Sequence, residues 1–138
     1  MKRFKVLLAT LALVLSCNSY AAQDVILASA VRTGTTTSAD IYRTVEHGAH
    51  FVFVITAVPG VDTVTPKIQG KDALGNYYDI LIGTALVATG TTVLKIYPGI
   101  GAVANGASPD ILPDVYRVVV THSAGTSFTY TMTANKDN

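Results

Sequence analysis

Hydrophobic positions along this chain recur mostly at every second residue, in short β-branched runs interrupted by Gly, Pro, Asn and Asp. That period belongs to strands, whose side chains alternate between two faces, and no window of a dozen residues carries the stripe of a helix. The strongest run is residues 49–58. Phe51, Phe53 and Ile55 fall on one face and Val52, Val54 and Val58 on the other, which predicts a central strand covered on both sides and ended by Pro59-Gly60. Residues 25–31 read as a first strand, and the Thr-, Gly- and Ser-rich residues 33–38 as a loop. In residues 64–69, Val64, Pro66 and Ile68 alternate with Thr65, Lys67 and Gln69, so one face is wet. Pro66 has no amide proton for a ladder and places this strand at an edge or at a bulge.

Residues 71–76 read as a hairpin loop leading into a strand over 77–82, and a further strand covers 91–97. Residues 115–122 and 127–134, joined by Ser123-Ala124-Gly125-Thr126, read as the cleanest hairpin. In its second arm Phe128, Tyr130 and Met132 line one face and Thr129, Thr131 and Thr133 the other. Seven or eight short strands at this spacing predict an all-β fold, a single antiparallel β-sandwich, with a small β-barrel as the runner-up. The apolar connection 98–113 reads as an Ω-loop packed on its own domain by Ile100, Val103 and Leu112, or as a contact with another subunit.

The first residues follow a different logic. Lys2, Arg3 and Lys5 precede an apolar run over 6–15, and Ser19-Tyr20-Ala21 sets small side chains before Ala22, the three parts of a secretory signal. The run is shorter than the roughly 20 residues a bilayer span needs. The chain therefore divides into a signal-peptide-like leader, residues 1–21, and a β-sandwich domain, residues 22–138, exported to the periplasm, the cell surface or the exterior. Val14-Leu15-Ser16-Cys17 offers a competing lipoprotein site at Cys17, although Leu15 is uncommon at its position. Removing the leader changes the composition. Of 10 Lys+Arg and 9 Asp+Glu, three cations leave with it, so the rest carries 7 − 9 = −2. Without a basic cluster it lacks the footprint of a nucleic-acid binder. It also retains no thiol, which excludes disulfides, thiolate nucleophiles and Cys-ligated zinc.

Candidate chemistry is sparse. His47 and His50 flank Gly48 with Glu46 nearby, but no second motif completes a metal site. His122 beside Ser123 suggests a Ser-His-Asp arrangement, yet neighbours in an extended chain point apart and no Gly-x-Ser-x-Gly elbow exists. The carboxylates Asp24, Asp40, Glu46, Asp62, Asp72, Asp79, Asp110, Asp114 and Asp137 stand singly, mostly among turn residues. Residues 72–76 lack the alternating oxygen ligands of a calcium loop, and Gly99-Ile100-Gly101 lacks the third glycine and the helix of a phosphate loop. Tyr77 or Tyr97 could stack a sugar, the feature that keeps a carbohydrate-binding module as the alternative. No catalytic, cofactor-binding or metal residue is assigned, and the expectation is a protein that is not an enzyme.

Three stretches carry a resemblance: Gln69-Gly70-Lys71-Asp72-Ala73-Leu74-Gly75-Asn76-Tyr77-Tyr78, Ala88-Thr89-Gly90-Thr91-Thr92-Val93-Leu94-Lys95-Ile96-Tyr97-Pro98-Gly99 and Leu112-Pro113-Asp114-Val115-Tyr116-Arg117-Val118-Val119-Val120-Thr121-His122. Together they resemble small all-β proteins encoded among the virion genes of tailed bacteriophages, over residues 25–134. The resemblance implies a virion part, such as a capsid decoration protein or a head or tail component, that binds copies of itself or a larger protein lattice. It assigns no functional residues. The leader is a departure from that group and points instead to an exported, self-assembling surface subunit, whose alternating Val25, Leu27 and Val31 could pair with a neighbour's sheet edge.

Overall fold

The computed structural model describes residues 23–58 and 60–137. The leader, its cleavage point before Ala22 and Cys17 lie outside the described residues, as does Pro59. Within them run ten strands: β1 (Gln23–Arg32), β2 (Thr36–Thr37), β3 (Ile41–Tyr42), β4 (Gly48–Ala57), β5 (Val64–Lys71), β6 (Tyr77–Ile82), β7 (Gly90–Ile96), β8 (Ala107–Ser108), β9 (Val115–His122) and β10 (Phe128–Asp137). That is more than the seven or eight expected. The count rises to ten because β2, β3 and β8 span two residues each, too few for a period of two to register.

The strands form two sheets in a sandwich-like arrangement. The first runs β1-β10-β4-β7-β8, and the second runs β2-β9-β5-β6 with β3 also paired to β9. Both are antiparallel except for the short β7–β8 pair. They stay separate, so the barrel alternative is set aside. One core lies between them: Phe51, Phe53, Leu94, Ile96, Phe128 and Met132 from the first sheet face Val64, Ile68, Tyr116, Val118 and Val120 from the second. Phe51 meets Tyr116 edge to face across the gap, ring centres 5.8 Å apart. Each such large apolar side chain stabilises the fold by about 1.5–3 kcal/mol on burial.

Several expectations change. β9 and β10 are not a hairpin: they belong to different sheets, and Ser123–Thr126 crosses between them. Each arm has one apolar face, and crossing lets the two faces bury one another instead of lying side by side. The crossing is pinned where Ser123 N donates to Thr63 O and Thr63 N donates to Ser123 Oγ. Pro66 is internal, between β9 and β6, and the one irregularity of the β5–β6 ladder lies further on, between Ile68 and Gln69. Pro66 is tolerated because its carbonyl accepts from Gly83 N, just past the end of β6. The reciprocal bond it cannot make therefore falls where the ladder stops and a separate Val64–Leu86 bridge begins. The loop 33–38 contains β2, which covers part of β9. In the connection 98–113, Leu112 is buried as expected, but Val103 is 59% exposed and Ala107–Ser108 extends the first sheet.

The 71–76 loop is a hairpin loop, as read. Asp72 carboxylate oxygens accept from the Leu74 and Asn76 amides and from Asn76 Nδ2, with Gly75 at φ 91° completing the turn. β4 lies between β10 and β7, the central position its pattern predicts. Its Phe51-Phe53-Ile55 face is buried, whereas Val52 and Val54 on the other face are only half-buried.

Candidate functional site

The residues singled out for chemistry do not converge. His47 is exposed in the turn before β4, its amide donating to Asp137 O. His50, on the outer face of the first sheet, packs edge-on against Tyr97 with ring centres 5.0 Å apart. His122 stands elsewhere, half-buried against Phe128, its Nε2 3.1 Å from the Tyr130 hydroxyl, which in turn donates to Thr36 Oγ1. Burial, aided by the Arg32 charge, holds its pKa below the ordinary histidine value. The adjacent Ser123 Oγ accepts from Thr63 N, and the imidazole bonds the Tyr130 hydroxyl rather than this serine. Among the described residues no three His, Cys, Asp or Glu side chains are grouped to hold a metal ion.

Most of the carboxylates are acceptors in the scaffold. Asp114 pairs with Arg43, Asp62 accepts from Thr126 Oγ1 at 2.5 Å, and Asp110 accepts from the Ile111 amide. The densest arrangement is one the linear reading missed. Lys136, 7% exposed, meets Asp24 at 2.6 Å and Glu46, 4% exposed, at 3.6 Å. Glu46 Oε2 accepts from Thr44 N, Thr44 Oγ1 and Val45 N. Burial raises the Glu46 carboxyl, but its own amide, both Thr44 donors and the Lys136 charge outweigh it and bring the pKa to about 2. Burial lowers the Lys136 amine, and the Asp24 hydrogen bond with the surrounding negative charges more than reverses this, so it sits above its ordinary value. Glu46 and Lys136 are thus held charged, which suits a clamp between the first and last strands and the β3–β4 turn rather than proton transfer. The signal was in the sequence: Lys136 continues the inward series Phe128, Tyr130, Met132, Ala134, and a lysine at an inward position requires buried acids.

The two outer faces differ in kind. On the second sheet the polar side chains consume one another. Lys67 pairs with Asp79, Asp79 accepts from Gln69, Gln69 accepts from Arg117, and Arg117 lies 3.3 Å over the Tyr77 ring. Tyr77 donates to Asp40 at 2.6 Å, and Lys71 bonds the same carboxylate at 2.7 Å. The Lys71 hydrogen bond, then that of Tyr77, holds the Asp40 pKa below its ordinary value. Tyr77, one of the two rings considered for sugar stacking, is therefore committed to internal contacts, while Tyr97 is partly covered by His50.

The outer face of the first sheet has no such network. The register sets Val25 opposite Thr133, Thr133 opposite Val52, and Val52 opposite Val93, an unbroken row across four strands. The next row is Thr131, Val54 and Thr91, and the row on the other side is Asn135, His50 and Lys95. Val25 is 66% and Val93 37% exposed. Past Val93 the face continues into a groove lined by Ile100 and Val103 of the long connection.

Among the described residues no helix is long and apolar enough to cross a membrane. No protein-family model matches the chain, and no curated protein matches it in sequence.

Proposed function

We propose that this protein is a non-enzymatic structural subunit that works by assembling, with copies of itself or within a larger protein lattice, as a virion decoration-type component or an exported surface subunit. The observation that carries the reading is the division of its surface. Side chains able to do acid–base or nucleophilic work are mostly tied into scaffold hydrogen bonds, while the outer face of the first sheet carries Val25, Val52, Val54 and Val93 and, among the described residues, no ion pair. The resemblance over residues 25–134 supports a virion part, and the leader pattern in residues 1–21 supports export.

Size-exclusion chromatography with light scattering on the product of the full-length gene tests assembly, and its intact mass tests the leader. Assembly predicts a particle mass above one chain. A strictly monomeric species at high concentration, together with specific binding on a glycan array, would replace this reading with the carbohydrate-binding alternative. A mass that includes residues 1–21 would remove the export branch and leave the virion branch.

A further inference from the structure

The sequence of β4 asks for cover on both faces, and the fold supplies it on one. Phe51, Phe53 and Ile55 are buried in the core, but Val52 and Val54 look outward with Val25 and Val93 beside them in register. An antiparallel sheet facing water normally turns polar residues to it, as the second sheet does with Lys67, Asp79, Gln69 and Arg117. The row Val25, Thr133, Val52 and Val93 departs from that rule across four strands, whereas on the second sheet Ile82 and Val119 stand singly on either side of Lys67. We infer that a second copy of this chain covers the outer face of the first sheet, the two copies stacking sheet against sheet about a two-fold axis. The inference rests on the assembly reading above and specifies its contact surface.

Charge selects the occupant. Across the three rows the one formal charge is Lys95, at a corner. A nucleic acid or an acidic peptide would find a single cation there, and a partner with a charged surface would bury ions against valine without counter-ions. The surface that fits must be flat, β-branched and nearly uncharged, and this chain carries such a surface itself. A two-fold axis through the centre of the face pairs valine rows with valine rows and keeps the two Lys95 side chains apart. Strand twist sets the stacked sheets about 30° apart, with facing side chains interleaved across about 10 Å.

Size is adequate and modest. Four strands and the adjoining loop at about 4.8 Å each give a width of about 24 Å, and seven residues at about 3.3 Å give a length of about 23 Å. The flat footprint is about 550 Å² per copy, or about 1,100 Å² in all. That lies just below the range of stable interfaces and among weak, reversible ones, so the dimer is expected to dissociate on dilution.

The test is light scattering of the full-length product as wild type and with Val25→Lys and Val93→Lys together. Both are exposed positions, where lysine leaves the core untouched. Leu74→Lys, at the hairpin tip and 88% exposed, is the control. Thr91→Lys, on the same face, serves as an independent variant should the double one fold poorly. The expected result is a dimeric wild type and control, with the double variant and Thr91→Lys monomeric at the same concentration. A dimer unchanged in folded face variants would overturn this interface and leave the assembly reading standing. A wild type that is monomeric throughout would overturn the stacked dimer together with the self-assembly branch of that reading.

Discussion

The cluster at Lys136 makes the sharpest energetic prediction. Replacing Glu46 with Gln removes a buried carboxylate whose pKa falls from 4.5 unfolded to about 2 folded. A difference of about 2.5 units at about 1.36 kcal/mol each gives about 3 kcal/mol of stability at pH 7, of which Gln retains part through the Thr44 and Val45 amides. The sign follows from the depressed value. Below about pH 4.5 the unfolded chain takes up a proton that the folded chain refuses until about pH 2, so the contribution is full above pH 5 and lost across that window. Urea denaturation of wild type and Glu46→Gln at a series of pH values isolates the effect, because the two chains differ in this one titratable group. The variant should be about 2–3 kcal/mol less stable at pH 7, with the gap about halved at pH 3 and nearly closed at pH 2. A gap that is flat with pH, or under about 1 kcal/mol at neutrality, would refute the charged-clamp description.

Three further outcomes follow from the same geometry. His122 is held below its ordinary pKa, so the folded state resists its protonation and stability should decline as pH drops below 6.5; His122→Gln should flatten that slope between about pH 7 and 5 in thermal melts. At Gly48 an added Cβ would lie 2.5 Å from the Ile96 carbonyl and press on the Tyr97 ring, so Gly48→Ala should cost about 1–3 kcal/mol, whereas Gly34→Ala, which meets nothing within 4 Å, should be close to neutral in the same denaturation assay. Lys136→Met should destabilise by about 3–5 kcal/mol, since Glu46 would keep its charge without the cation, and Lys136→Met with Glu46→Gln should recover part of that loss.

What the sequence made legible was set by range. Alternation located β4, β5, β7, β9 and β10 because each is long enough to show a buried face, and the Asp72 turn announced its hairpin, and with it β6, through local hydrogen-bonding chemistry. Alternation gives a strand its faces but not its neighbour, which is why Ser123–Thr126 read as a hairpin turn although it passes from one sheet to the other. Pro66 misled for a related reason: whether its missing donor costs anything depends on where β6 happens to end. The Lys136, Glu46 and Asp24 cluster joins the two ends of the domain, and only the inward phase of Lys136 hinted at it. The valine face was half visible in Val52 and Val54, while Val25 and Val93 joined it only once the register was fixed.

Sedimentation velocity of the full-length product over a concentration series tests the central claim most directly. Assembly through a modest interface predicts a sedimentation coefficient that climbs with concentration from one chain toward two. A coefficient that stays at the monomer value up to about millimolar protein would contradict it.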